Sequence, residues 1–125
     1  MNKSLIGTLA IAIGLSLASP AQARPCVVGT EDYTIESGRT FELDQPEPAW
    51  IDGEEAGSRV NIRSGPGLEH KSTGYGLVGH YIDIIGQGMS ESCETWAKVR
   101  FPISGHEGWI HSQFINATYP RGWWD

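Results

Sequence analysis

Four histidines, two cysteines and several carboxylates are the residues of this chain that could carry covalent or metal chemistry. His70, His80, His106 and His111 are separated by 10, 26 and 5 positions. No pair has the i, i+4 helical spacing that brings two imidazoles to one zinc ion, so they read as solvated side chains. Cys93 fails as a nucleophile because Glu91 and Glu94 beside it disfavour the thiolate. Glu54-Glu55 lies in an exposed, turn-rich stretch without the burial that acid catalysis by paired carboxylates needs. No metal, no cofactor and no enzymatic activity are expected. The aromatic residues are the better candidates: Trp96, Tyr75 and Tyr81 offer flat surfaces with a polar tip.

The positioning elements begin after an address. Lys3 and the apolar run Leu5 to Leu17 precede Ala21-Gln22-Ala23, the small-x-small pattern accepted by signal peptidase. The run is about 13 residues long against roughly 20 needed to span a bilayer. Cleavage after Ala23 is therefore expected, giving a secreted or periplasmic protein with no membrane span. Residues 24–57 then carry nine acids and two bases, while residues 58–125 carry six of each. The formal charge of −6 excludes a basic nucleic-acid-binding face. Tyr33-Thr34-Ile35 and Thr40 to Leu43 flank Glu36-Ser37-Gly38-Arg39 and predict a short hairpin in this acidic arm. Pro46, Pro48 and Asp52-Gly53 predict a linker or turn after it.

Two cysteines in an exported chain predict a Cys26–Cys93 disulfide. The long loop it closes is worth about 4 kcal/mol to a domain this small, which is otherwise marginal. From residue 58 the pattern is one of short strands. Arg59-Val60-Asn61-Ile62-Arg63 alternates with Val60 and Ile62 inward, and Ser64-Gly65-Pro66-Gly67 ends it. A polar loop through Leu68 to Gly79 carries Tyr75. Tyr81 to Ile85 and Trp96 to Phe101 alternate again, placing Ile82, Ile84, Ala97 and Val99 inside. Gly108-Trp109-Ile110 begins a last strand, and Ser112-Gln113-Phe114 forms one tight helical turn before Ile115. About five short strands with polar turns predict an all-β, small, highly bent barrel with an N-terminal acidic hairpin or arm.

Arg59 to Ile115 resembles a bacterial SH3 domain. The likeness is carried by Arg59 to Gly67, by Trp96-Ala97-Lys98-Val99-Arg100, and by Gly108-Trp109-Ile110-His111-Ser112-Gln113-Phe114-Ile115. It implies an SH3-like barrel over 58–115, preceded by the arm at 24–57 and followed by a tail at 116–125. It also implies a binding module for cell-wall peptide or glycan. Trp96, of opposite parity to the core residues, would then face the groove, with Tyr75 and Tyr81 on the opposing wall. An alternative covers Trp96 with the arm or the long loop. His111 and Phe114 inherit groove positions from the resemblance alone.

Two functions follow. One is an exported module whose partner is peptidoglycan or an envelope protein. The other is a structural or inhibitory partner acting through the acidic arm or the Trp123-Trp124 tail. Export is checked first: intact-mass analysis of protein recovered from the periplasm should show a chain beginning at Arg24. A full-length species retained in the membrane would end the export reading.

Overall fold

The computed structural model describes residues 22–29 and 33–117. The expected signal run Leu5 to Leu17, Ala21 and the Trp123-Trp124 tail lie outside the described residues. Among the described residues there are nine strands. A two-stranded sheet pairs β1 (Pro25–Val27) with β2 (Thr34–Glu36). A seven-stranded antiparallel sheet contains β3 (Thr40–Ile51), β4 (Arg59–Arg63), β5 (Ser72–Leu77), β6 (Tyr81–Met89), β7 (Thr95–Arg100), β8 (Glu107–His111) and β9 (Ile115–Ala117), in the order β5-β4-β8-β7-β6-β3-β9. A single 3-10 turn, Ser112–Phe114, joins β8 to β9 where a tight helical turn is expected. The sheet bends far enough to meet itself. Gly79 N–H donates to the Ile51 carbonyl and Ile51 N–H to the His80 carbonyl, so the chain leaving β5 closes on β3.

Alternation places the core correctly. Val60, Ile62, Ile82, Ile84, Ala97 and Val99 are all buried, joined by Ala49, Ile51 and Ile110. Glycines permit the tight curvature. A methyl group added at Gly108 would run into Ile62 Cγ2, and one at Gly76 would lie 2.8 Å from the Phe101 ring. Gly76 also explains why β5 is missed when Leu68 to Gly79 is taken as loop: here glycine marks close packing rather than a turn.

The acidic segment departs most from expectation. β2 pairs with β1 rather than with residues 40–43, so the expected hairpin has the wrong partner. Asp52-Gly53 do open a turn as expected, but Pro46 and Pro48 belong to the second half of β3, which pairs with β6 at Glu47–Trp50 and with β9 at Ala49–Ile51. Prolines argue against a strand because they lack the donor N–H. Pro46 escapes that objection by falling in the register shift between Glu42 and Glu47, where ladder bonding is interrupted.

Cys26 and Cys93 form the expected disulfide, with their Cα atoms 5.3 Å apart. The bridge pins β1 to the turn after β6, and Cys26, Ile35 and Met89 form a second small core with Val28, Phe41 and Cys93 packed on it. Cys93 itself adopts φ 65°, a left-handed conformation held in a turn by Cys93 N–H to Ser90 O and Ser90 N–H to Glu94 O. Thiol titration of the unfolded, unreduced protein should find no free cysteine. The Cys26→Ala/Cys93→Ala double variant should lose about 3–4 kcal/mol in urea melts. A double variant as stable as the parent would show that the β1–β2 sheet adds nothing to the barrel.

Candidate functional site

The aromatic residues expected to share one groove are divided among different surfaces. Trp96 is only 2% exposed, so its expected outward presentation is corrected. Its parity is not at fault, since neighbouring side chains on a strand point to opposite faces. Trp96 and Ala97 are both buried because both faces of β7 are covered here. Gly88, the cross-strand partner of Trp96, leaves room for the Trp109 ring and for Pro66, which an added methyl would meet at 2.7 and 3.1 Å. Pro66 is itself buried in the turn after β4, so that turn roofs the second face. Trp96 Nε1 is buried without a hydrogen-bond partner, a cost borne inside this layer.

His111 and Phe114 extend the same cluster. The His111 ring lies 5.2 Å from Trp96 and 6.5 Å from Phe114, edge-on to both. Its Nδ1 accepts from Gln113 N–H at 3.0 Å, and its Nε2 lies 3.2 Å from Glu94 Oε1. The imidazole therefore caps the 3-10 turn, and Phe114 packs against the barrel core. Three predicted site residues are brought together, in a packing role.

Tyr75 and Tyr81 do face solvent, at 51% and 42% exposure. Tyr75 lies on the outer face of the β4–β5 pair opposite Asn61, with the Arg59 guanidinium stacked 4.3 Å above its ring. Tyr81 begins β6 opposite Trp50 of β3, and the two rings meet edge-to-face at 5.8 Å. Its hydroxyl donates to Asp83 Oδ1 at 2.7 Å. That hydrogen bond holds the phenol pKa above the ordinary tyrosine value, with smaller contributions from desolvation and from the carboxylate's charge.

Tyr81 also walls an open groove of about 480 Å³. Gly79 and His80 continue its wall, and Phe101, Pro102, Ile103 and Ser104 of the β7–β8 turn form the other side. Phe101 is fixed from below, its ring lying over Gly76 and 6.3 Å from that of His106. Ile103 is fully exposed at the lip. Phe101, Ile103 and Trp50 were missed among the candidates. The available signal was Ile103, a large aliphatic residue in the turn sequence Pro-Ile-Ser-Gly, where burial cannot explain it. Among the described residues no group of three or more His, Cys, Asp or Glu converges as a metal site, and no helix is long and apolar enough to cross a membrane.

In a comparison to family models, residues 58–116 match the bacterial SH3 domain. This segment is a bacterial SH3 domain. Such a domain is a binding module in kind, consistent with a non-enzymatic role. The chain is also 41% identical over 56 residues to serine/threonine-protein kinase D of Synechocystis sp. (strain ATCC 27184 / PCC 6803 / Kazusa). That match covers 45% of this chain and only 11% of the kinase. No solved structure matches the chain.

Burial separates the two kinds of aromatic residue in this SH3 domain. Trp96→Ala should cost about 3–5 kcal/mol of stability in urea denaturation. Tyr75→Ala, losing a solvent-exposed cation–π contact, should cost about 0.5–1 kcal/mol. Equal losses would contradict the assignment of Trp96 to a roofed layer.

Proposed function

We propose that the protein is an exported, non-catalytic binding module that recognises cell-wall peptide or glycan, or an envelope protein, through the groove beside Tyr81. The observation that carries this reading is the open apolar groove itself. It is built on strand ends of an SH3 domain and lipped by an isoleucine that is wholly exposed. Contiguous apolar surface of this kind has a cost in water and marks contact surfaces. The Cys26–Cys93 bridge supports export, because such bridges persist in oxidising compartments. The kinase match supports a modular role, since the shared stretch is a small fraction of that longer protein. The alternative, an acidic arm entering another protein's site, has less support. β3 draws residues 40–51 of that arm into the barrel sheet.

The test is retention on purified sacculi beside a soluble lysate. The parent protein should be retained, and Ile103→Asp should lower retention at least about fivefold with an unchanged melting temperature. Ile103→Asp binding as well as the parent would remove the groove from the function.

A further inference from the structure

Two aromatic rings of this chain carry a cation from the chain itself. Arg59 stacks over Tyr75 at 4.3 Å and Arg39 over Phe41 at 5.1 Å. The Trp50–Tyr81 pair, 41% and 42% exposed, has no cation over either ring among the described residues. Carboxylates flank it on two sides. Asp83 lies at the hydroxyl end of Tyr81, where only its Oδ1 is engaged, by the phenol. Arg100 is the cross-strand neighbour of Asp83, yet the two form no ion pair. On the other side, Asp52, Glu54 and Glu55 leave β3 in an exposed turn. Gly53 in that turn packs on Val78, and Gly57 N–H donates to the Val78 carbonyl, so the turn lies beside the Gly79–His80 wall of the groove.

We propose that this corner of the groove binds a side-chain ammonium group carried on a cell-wall peptide. The proposal rests on the binding-module reading above and narrows its ligand to the peptide rather than the glycan. The ammonium group would sit over the Trp50 and Tyr81 rings, attracted by their quadrupoles and by the carboxylates on either side. Its methylene stem would lie along Phe101, Pro102 and Ile103, as long basic side chains commonly do on apolar surface. The groove lining itself holds no carboxylate, and it is the acids flanking the Trp50–Tyr81 pair that favour this occupant. An uncharged sugar ring would use the aromatic faces and leave the flanking carboxylates without a role.

Three measurements test it. Sacculi whose free amines have been acetylated should retain the parent protein at least about fivefold less than native sacculi, as loss of a cation–π contact and its charge partner predicts. Tyr81→Leu, with its melting temperature checked, should lower retention on native sacculi about two- to fivefold and abolish the preference for them. Asp83→Asn should weaken the preference in the same direction and serves if Tyr81→Leu does not fold. In solution, a capped lysine peptide should shift the Trp50 indole N–H resonance, and a trimer of N-acetylglucosamine should not. Equal retention on native and acetylated sacculi overturns the amine and leaves the module reading intact. A shift caused by the sugar trimer and not by the lysine peptide does the same. Retention on neither kind of sacculus overturns both.

Discussion

One strand holds two cores together. β3 runs for twelve residues, with its first half against the Cys26–Ile35–Met89 cluster and its second half, through Ala49 and Ile51, inside the barrel. The register shift between Glu42 and Glu47 lets it serve both, because the change in pairing re-aims the side chains between the two clusters. The disulfide acts on the same junction. By fixing β1 to the turn after β6, it holds the small sheet over the first half of β3. Neither core is large enough to be comfortable alone, and a barrel near this size buries only about 60% of the surface its unfolded chain exposes. Ile51 adds the closing hydrogen bonds to Gly79 and His80, so barrel closure also depends on β3.

Curvature explains where the groove can be. A small barrel brings strands together so closely that several positions admit only hydrogen: Gly108 faces Ile62 and Gly76 faces Phe101, while on the outer face Gly88 faces Trp109. Filling the outer hollow above Gly88 with Trp109 and Pro66 turns that face into packed interior. The surface around Trp96 and His111 is thereby largely spent on stability. Across the barrel, Phe101 fills the place beside Gly76 and leaves the Pro102–Ser104 turn standing away from Tyr81. The groove is the gap between them.

The sequence made the inward-facing side chains legible, because a strict period of two with β-branched residues leaves little choice of face at Val60, Ile62, Ile82, Ile84 and Val99. The disulfide was legible from the cysteine count and the expectation of export. Three things were not. Pro46 and Pro48 concealed a strand, since a register shift that accommodates a proline is a tertiary event with no local mark. Gly74 and Gly76 concealed β5, since a glycine required for close approach looks the same as one required for a turn. Trp96 was given the correct parity and the wrong exposure, because alternation identifies two faces and does not say whether a distant turn covers one of them. Tyr81 survived as an exposed candidate, while its neighbours Trp50 and Phe101 come from segments assigned to linker and core.

The matched family segment and the proposed site do not coincide, and the difference would bear on the specificity of that site. Residues 58–116 contain Tyr81, Phe101 and Ile103, so the gap between β6 and the β7–β8 turn belongs to the SH3 domain itself. Trp50 and the acids at 52, 54 and 55 lie before that segment, on β3 and the turn that leaves it. This chain therefore inserts a strand from outside the family segment between β6 and β9, and with it half of the aromatic pair and most of the adjoining negative charge. A groove supplied by the barrel and a corner supplied by an added strand can vary independently. The barrel must keep its glycines and its closure, whereas Trp50 can change with little effect on the core because it points outward between Ala49 and Ile51. If the proposed corner binds a ligand, selection for a different one would act on β3 first.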